Sequence, residues 1–493
     1  MMSRQAFNPF LSQDTYIPDG EPHIFKGRIY IFGSHDKENG DSFCMLPYVF
    51  YSAPVDDLSN WSCKGISYEA MQDPFYSTKR PFMFAPDVVM GNDGRYYLYY
   101  CLAGLRGKYG YSGPFSVAVC DTPDGEYKYL GFVKNPDGSP FLRFIPFDPA
   151  LINDDGVIRL YYGTQYPFDN YSNILIRQIF HKIQSKIFGK SMSEIKTEAG
   201  GVMGPVHVTL DEDMLTVNSQ PRKIAPANTR STQWKEHPFF EAASIRKIDD
   251  IYYFIYSSML SHELCYATSY FPDRDFTFGG TLISNGDIGY RRRKPKDRLN
   301  ATGTTHGSIE CINGQWYVFY HRLTHGSDYS RQACAEKITI LPDGSISQVE
   351  MTSCGLNSGP LVCSGTYLAV ICCNLSNGRM PHIQNRKLKM PIPRISSNGH
   401  ERFISDMNND TMIGYKYFLF TGKTTLRVTY RGDGGELSVG VENNKILEKI
   451  ALPPSLNWIQ SEVMVFQAEG ELPLFFLFRG SGKIDILEIQ FKE

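Results

Sequence analysis

The amino-acid sequence predicts an all-β chain, a five-bladed β-propeller over residues 8–345 followed by a β-sandwich over residues 361–493. Three observations lead there. A tight turn followed by an aromatic strand recurs five times along the first part of the chain. Aromatic residues make up 14% of the sequence, with 31 Tyr and 32 Phe against 4 Trp, a balance that suits pleated surfaces. The last stretch carries strand runs with no helical period.

The first unit is Lys26-Gly27 before Arg28-Ile29-Tyr30-Ile31-Phe32, and the second Asp93-Gly94 before Arg95-Tyr96-Tyr97-Leu98-Tyr99-Tyr100. Asp155-Gly156 opens the third, Asp249-Asp250 the fourth and Asn313-Gly314 the fifth. Each reads as a β-hairpin, because Gly, Asp and Asn tolerate positive φ in the turn. Turn to turn, the steps are 67, 62, 94 and 64 residues. A step of that size holds one four-stranded blade with its loops, whereas a sandwich shows turns every 8–12 residues and no such recurrence.

The long step contains an insertion. Asn173 is placed to cap a helix with Ile176, Ile179, Phe180, Ile183 and Ile187 on one stripe and Arg177, Lys182 and Lys186 off it. That stripe is expected to pack on the propeller side. After Leu341-Pro342-Asp343-Gly344-Ser345 the recurrence ends and a Ser/Gly/Asn-rich stretch from Ser353 to Pro360 follows. Beyond it, runs such as Thr425–Tyr430 and Leu474–Phe478 read as strands of the sandwich.

Bulk composition narrows the function. Hydrophobic residues at 42% and charged residues at 21% are those of a globular chain, and a net charge of −2 gives nucleic acid or an anionic membrane nothing to hold. No apolar run reaches membrane-spanning length, and the opening Met1–Pro9 lacks one of signal-peptide length. Eleven cysteines without a CxxC pair read as free thiols, which predicts a reducing, cytoplasmic location.

Inner propeller strands converge on a central funnel, so polar groups at their ends meet although far apart in sequence. Three carboxylates precede hairpin units: Asp19 in Pro18-Asp19-Gly20, Asp148 in Phe147-Asp148-Pro149, and Glu241 in Phe240-Glu241-Ala242. An acid beside proline or aromatic residues is out of place on a solvated surface, although loop capping by Asp and Glu is the plainer alternative. Clustered, buried carboxyls force at least one pKa upward. Glycoside cleavage uses that asymmetry: one acid stays protonated for the leaving group and another stays ionised to activate water.

The sequence resembles glycoside hydrolase family 43. The resemblance is carried, in order, by Pro18-Asp19-Gly20-Glu21-Pro22 with Gly33-Ser34-His35-Asp36, Phe84-Ala85-Pro86-Asp87-Val88, Phe147-Asp148-Pro149-Ala150, Phe240-Glu241-Ala242-Ala243 and Thr302–Ser308. It implies a five-bladed propeller with inverting chemistry on a small oligosaccharide, releasing terminal α-L-arabinofuranose or β-D-xylose. Asp19 is then the general base, Asp148 the acid that tunes its neighbour, and Glu241 the general acid, the outer pair about 6.5–9.5 Å apart. By the same resemblance Asp87, Phe84 and Arg331 contact the sugar. Phe84 stands where a tryptophan is common, and Glu21 is a less favoured alternative base. His306 matches an axial histidine near a calcium or sodium ion, reached through water. No cofactor is required for the chemistry. The last domain resembles, less specifically, the jelly roll of carbohydrate-binding module family 6, with Trp458 either in the core or against a sugar. Other readings are a hydrolase acting on galactan or arabinan, and a non-catalytic sugar-binding propeller.

Overall fold

The computed structural model describes residues 6–103, 113–165, 174–188, 190–197, 204–225, 233–383, 391–442 and 445–492. Each of the five recurrent turns joins the two inner strands of one blade, and each blade is an antiparallel meander. Blade 1 holds β1 (Glu21–Phe25), β2 (Arg28–Phe32), β3 (Tyr51–Pro54) and β4 (Ser62–Cys63). Blade 2 holds β5 (Met83–Met90), β6 (Tyr96–Leu102), β7 (Ser116–Cys120) and β8 (Lys128–Phe132). Blade 3 holds β9 (Ala150–Asp154), β10 (Val157–Tyr162), β11 (Val206–Leu210) and β12 (Arg222–Lys223). Blade 4 holds β13 (Phe239–Ile248), β14 (Ile251–Ser258), β15 (Glu263–Ser269) and β16 (Thr277–Ser284). Blade 5 has three strands, β17 (Ser308–Ile312), β18 (Gln315–Leu323) and β19 (Arg331–Ile338).

The turn residues explain the registers. Lys26 and Gly27 have φ of 49° and 74°, Asp155 and Gly156 of 52° and 90°, and Asn313 and Gly314 of 50° and 83°. Paired positive φ values match the right-handed twist of the strands they join, so Phe25 sits opposite Arg28 and Ile312 opposite Gln315. Tyrosines of the second strands fill the spaces between blades: Tyr99, Tyr100, Tyr161, Tyr162 and Tyr256 are all fully buried. Burial of an aromatic side chain is the largest stabilising contribution a single residue makes here.

The ring closes at blade 5. The Asn8 side-chain amide donates to the Ala335 carbonyl at 2.9 Å and its oxygen accepts the Ala335 N–H at 2.9 Å. The Phe10 N–H donates to the Ala333 carbonyl. The N-terminal segment therefore covers the outer strand that blade 5 would otherwise leave unpaired.

The insertion forms α1 (Ile174–Phe188) and α2 (Met192–Thr197), between β10 and β11. Its apolar stripe does not pack as expected. Ile176, Ile179 and Ile183 are exposed at 36%, 57% and 40%, whereas Gln184 is buried and Phe180 half-buried. Phe180 and Gln184 are four residues apart, so the helix rests on the face next to the isoleucines. Asn173 lies outside the described residues, as do the side chains of Arg177 and Ile187.

The C-terminal region is a β-sandwich built on one 11-stranded sheet. Two long strands, Thr411–Gly432 and Met464–Arg479, pair along most of their length and carry its core, with Tyr415, Phe418, Phe476 and Phe478 buried. Among the described residues its helical content is a single turn, Ala369–Ile371. Trp458 is half-buried with its ring already occupied: the Arg431 guanidinium lies 4.3 Å above it and its N–H donates to Glu401 at 2.9 Å. All eleven cysteines are free thiols.

Candidate active site

The three predicted carboxyls meet where the inner strands of the blades begin. Asp19 precedes β1, Asp148 precedes β9, and Glu241 is the third residue of β13. A common backbone device aims them. At the mouths of blades 1 to 4 one residue turns left-handed: Asp19 (φ 57°), Ala85 (φ 34°), Asp148 (φ 48°) and Ala242 (φ 65°). Each is a strained conformation for a residue with a side chain, which concentrates at functional positions. In β13 the bend is a pair of bulges around Glu241. Two close approaches fix the geometry further. A side chain at Gly33 would lie 2.6 Å from the Pro18 carbonyl oxygen, and one at Gly307, beside His306, 1.9 Å from that of Phe319. Only glycine lets the chain pass at either point.

Asp19 and Asp148 are buried, at 6% and 4% exposure, while Glu241 is partly open. One Asp19 oxygen takes the Arg331 Nη1 at 2.8 Å. The Asp148 Oδ2 accepts the Ala242 N–H at 2.8 Å, which ties it to the residue after Glu241. His306 Nδ1 stands between the two aspartates, 3.9 Å from Asp19 Oδ1 and 4.0 Å from Asp148 Oδ2. Those distances exceed a direct hydrogen bond and suit a bridging water.

Electrostatics separates the carboxyls. Burial opposes ionisation of Asp19, but Arg331, His321, His306 and Ser34 outweigh it and hold its pKa at about 2. Burial lowers His306 to about 4 and pulls His321 well below the usual imidazole value. Both rings are thus neutral near pH 7, and Arg331 is the cation that keeps Asp19 ionised. His321 confirms its tautomer through its partners: Nδ1 accepts the Asp19 N–H at 3.1 Å, and Nε2 lies 3.1 Å from the Thr304 carbonyl, to which it donates. Burial, with the Asp19 charge behind it, pushes Glu241 up to about 8. Burial and the charges of Glu241 and Asp19 push Asp148 up as well. The charge state of Glu241 therefore bears on the titration of Asp148. The Ala242 N–H opposes the rise at Asp148 without cancelling it.

Two of the expected sugar contacts, Asp87 and Arg331, are buried with protein partners. Asp87 is fully buried, and its oxygens accept the Val88 N–H at 2.7 Å and the Leu151 N–H at 2.6 Å, with His23 Nε2 at 2.7 Å. It braces blades 1, 2 and 3. Arg331 is 4% exposed, and its fork is committed to Asp19 and Asp36. Phe84 is half-buried at the mouth of blade 2, its ring 6.4 Å from that of Phe147. Glu21 is buried against Ser244 and Arg246 of β13. His306 offers one neutral nitrogen, and among the described residues it belongs to no group of ligand atoms that converge for a metal. With Arg331 already on the nearest oxygen of Asp19, this surrounding does not fit a directly held divalent cation.

No family model matches the chain. A xylosidase/arabinosidase of Thermoclostridium stercorarium is 39% identical over 502 residues, spanning 98% of both chains. Xylosidase/arabinosidase 43A of Humicola insolens is 30% identical over 355 residues, 68% of this chain and 97% of its own. The chain belongs to the xylosidase/arabinosidases of glycoside hydrolase family 43. It is therefore a glycoside hydrolase. The family 43 fold recurs in a β-xylosidase/α-arabinofuranosidase from a compost microbial metagenome, solved with xylotriose, at a TM-score of 0.52 and 23% identity over 70% of this chain and 98% of that one.

In this family 43 chain, sequence reasoning missed Asp36. It is fully buried and grips Arg331 by both carboxylate oxygens, Nε to Oδ2 at 2.8 Å and Nη2 to Oδ1 at 3.0 Å. A bidentate pair fixes the guanidinium plane, so the free Nη1 points at Asp19. Cys44 was also unmarked; its thiol lies 3.4 Å from Arg331 Nη2 and 3.9 Å from Asp19 Oδ2. The only signal was local: Asp36 follows the first hairpin unit in a run, Gly33-Ser34-His35-Asp36, too polar to be the interior of a strand.

Proposed function

We propose that the enzyme is an inverting exo-glycosidase that releases terminal α-L-arabinofuranose or β-D-xylose from short oligosaccharides. The observation that carries this reading is the opposed state of two carboxyls in one funnel, Asp19 held ionised at about 2 and Glu241 held protonated up to about 8. Asp19 takes a proton from water as that water attacks the anomeric carbon from one face. Glu241 gives its proton to the departing glycosidic oxygen on the other face, and the bond to that oxygen breaks. Asp148, whose Oδ2 accepts the Ala242 N–H, steadies the strand end that carries Glu241. Phe84 supplies an apolar wall for the sugar ring. The names of the relatives, xylosidase/arabinosidase in both organisms, support a pentoside substrate.

No step passes through a metal ion or cofactor. The C-terminal domain serves as structural support: the Trp458 ring, taken up by Arg431, Phe403 and Glu401, offers no clear face for a sugar.

The test is the first-formed anomer, followed by proton NMR during hydrolysis of a nitrophenyl α-L-arabinofuranoside and a nitrophenyl β-D-xyloside. Inversion yields β-arabinose and α-xylose; release of the retained anomer contradicts the mechanism. Full-length Glu241→Gln that still binds an oligosaccharide but no longer cleaves it separates this enzyme from a sugar-binding propeller.

A further inference from the structure

Asp19 and Arg331 come from the first and last blades, so their contact spans the seam where the ring closes. Beside it stands Glu38, on the segment between β2 and β3 that also carries Asp36 and Cys44. One Glu38 oxygen accepts the Tyr16 hydroxyl at 2.6 Å and lies 3.2 Å from His325 Nε2. Its other oxygen lies 3.4 Å from Nη2 of Arg402, a residue of the C-terminal sandwich.

Each partner leads back to the base. Tyr16 is three residues before Asp19, and its carbonyl accepts the Asp36 N–H at 2.9 Å. His325 is six residues before Arg331, and the Asn39 N–H donates to Ser330, the residue next to Arg331, at 2.8 Å. Arg402 belongs to the hairpin of strands Arg394–Ser397 and Arg402–Met407. That hairpin docks on blade 5: the Ile395 N–H donates to the Thr324 carbonyl at 3.0 Å, and the Arg394 side chain lies against Gly326, where a Cβ would sit 3.2 Å from its Cδ. Arg394 is in turn fixed by Asp406 of the same hairpin at 2.8 Å.

We infer that this hairpin of the C-terminal domain clamps the seam between blades 1 and 5 and holds Arg331 on the catalytic base, with Glu38 and Arg402 as positioning residues. The inference rests on the reading of Asp19 as base. It gives the C-terminal domain a part in the reaction that needs no sugar of its own. If the clamp loosens, the 2.8 Å contact between Arg331 and Asp19 lengthens and its hold on the carboxylate weakens. Asp19 is then protonated at higher pH. Cys44, His306, His321, Asp148 and Glu241 also face Asp19 and feel the Arg331 charge, but Asp19 is the one among them that Arg331 touches through its free Nη1, so its limb responds most.

The experiment uses the full chain and measures kcat/KM against pH on the nitrophenyl pentoside cleaved fastest. Arg402→Met and Glu38→Gln are each expected to raise the acid limb of the profile and to lower kcat/KM about tenfold, less than the about 100-fold that a 1 Å misplacement of a reacting group costs. Arg402→Lys, which keeps a charge for Glu38, restores part of the loss. Lys449→Ala, which breaks an exposed pair with Glu436 elsewhere in the sandwich, leaves the profile alone. An unmoved acid limb in both Glu38→Gln and Arg402→Met, or an equal movement in Lys449→Ala, overturns the clamp. Asp19→Asn is measured alongside: if it stays active, the assignment of the base fails, and if it is inactive while the limb stays put, the clamp alone fails.

Discussion

Replacing Arg331 by Met removes the cation on which the ionised base depends. Burial alone pushes a carboxyl upward, yet its neighbours bring Asp19 down from 3.8 to about 2. That depression is worth about 2 kcal/mol in favour of the anion. Because the folded value lies below the unfolded one, this stabilisation is present above about pH 4 and disappears as the pH falls through 2. In the methionine variant burial still disfavours charge on His306 and His321, so these rings replace the guanidinium only in part. Asp19 then rises past 3.8, and the acid limb of kcat/KM moves up by about two pH units or more. The fold also weakens, since Asp36 loses its partner while fully buried; a broken buried pair costs about 3–5 kcal/mol. Arg331→Lys is the milder perturbation: it keeps a charge but cannot serve both carboxylates, so its limb moves less. The assay is a pH series of kcat/KM with a melting curve at each pH. A folded Arg331→Met whose acid limb coincides with the parent's refutes the reasoning.

Further outcomes follow from the same geometry. For the parent, kcat/KM falls above about pH 8 as Glu241 loses its proton, and a plateau extending well past that value in a pH series contradicts the acid assignment. Glu241→Gln lowers kcat by about 10²–10⁴ on substrates with poor leaving groups and by much less on nitrophenyl glycosides, whose departure needs little protonation; steady-state rates on both classes check this. Asp148→Asn keeps an oxygen for the Ala242 N–H but removes a carboxyl from the funnel, so kcat/KM falls while the basic limb set by Glu241 stays near pH 8 in the same titration. Ala242→Gly relieves a left-handed backbone and raises stability by about 1 kcal/mol, seen in denaturant unfolding, provided the Ala242 N–H still reaches Asp148.

What the sequence disclosed was local in origin. The five turns were legible because each needs two residues that tolerate positive φ, followed by a run that alternates. Asp19, Asp148 and Glu241 were legible because proline and aromatic neighbours mark a carboxyl that is not solvated. What the sequence left open concerns long-range partners. Asp36 and Arg331 are 295 residues apart, and no pattern within either segment announces the fork between them. Asp87 has the neighbours of a funnel residue, but the Leu151 N–H of the next blade takes its carboxylate inward. The α1 stripe has helical spacing, yet spacing does not say which face meets the protein, and the buried Gln184 shows that a different one does. The contact of Arg402 with Glu38 joins two domains whose docking neither sequence segment encodes alone.

The assignment of base and acid is tested most directly by azide, a nucleophile that needs no proton removed. In Asp19→Gly the base is gone but the protonated Glu241 remains, so added azide restores turnover and yields the glycosyl azide of inverted configuration. Rescue of Glu241→Gly with no rescue of Asp19→Gly contradicts the roles given to the two carboxyls.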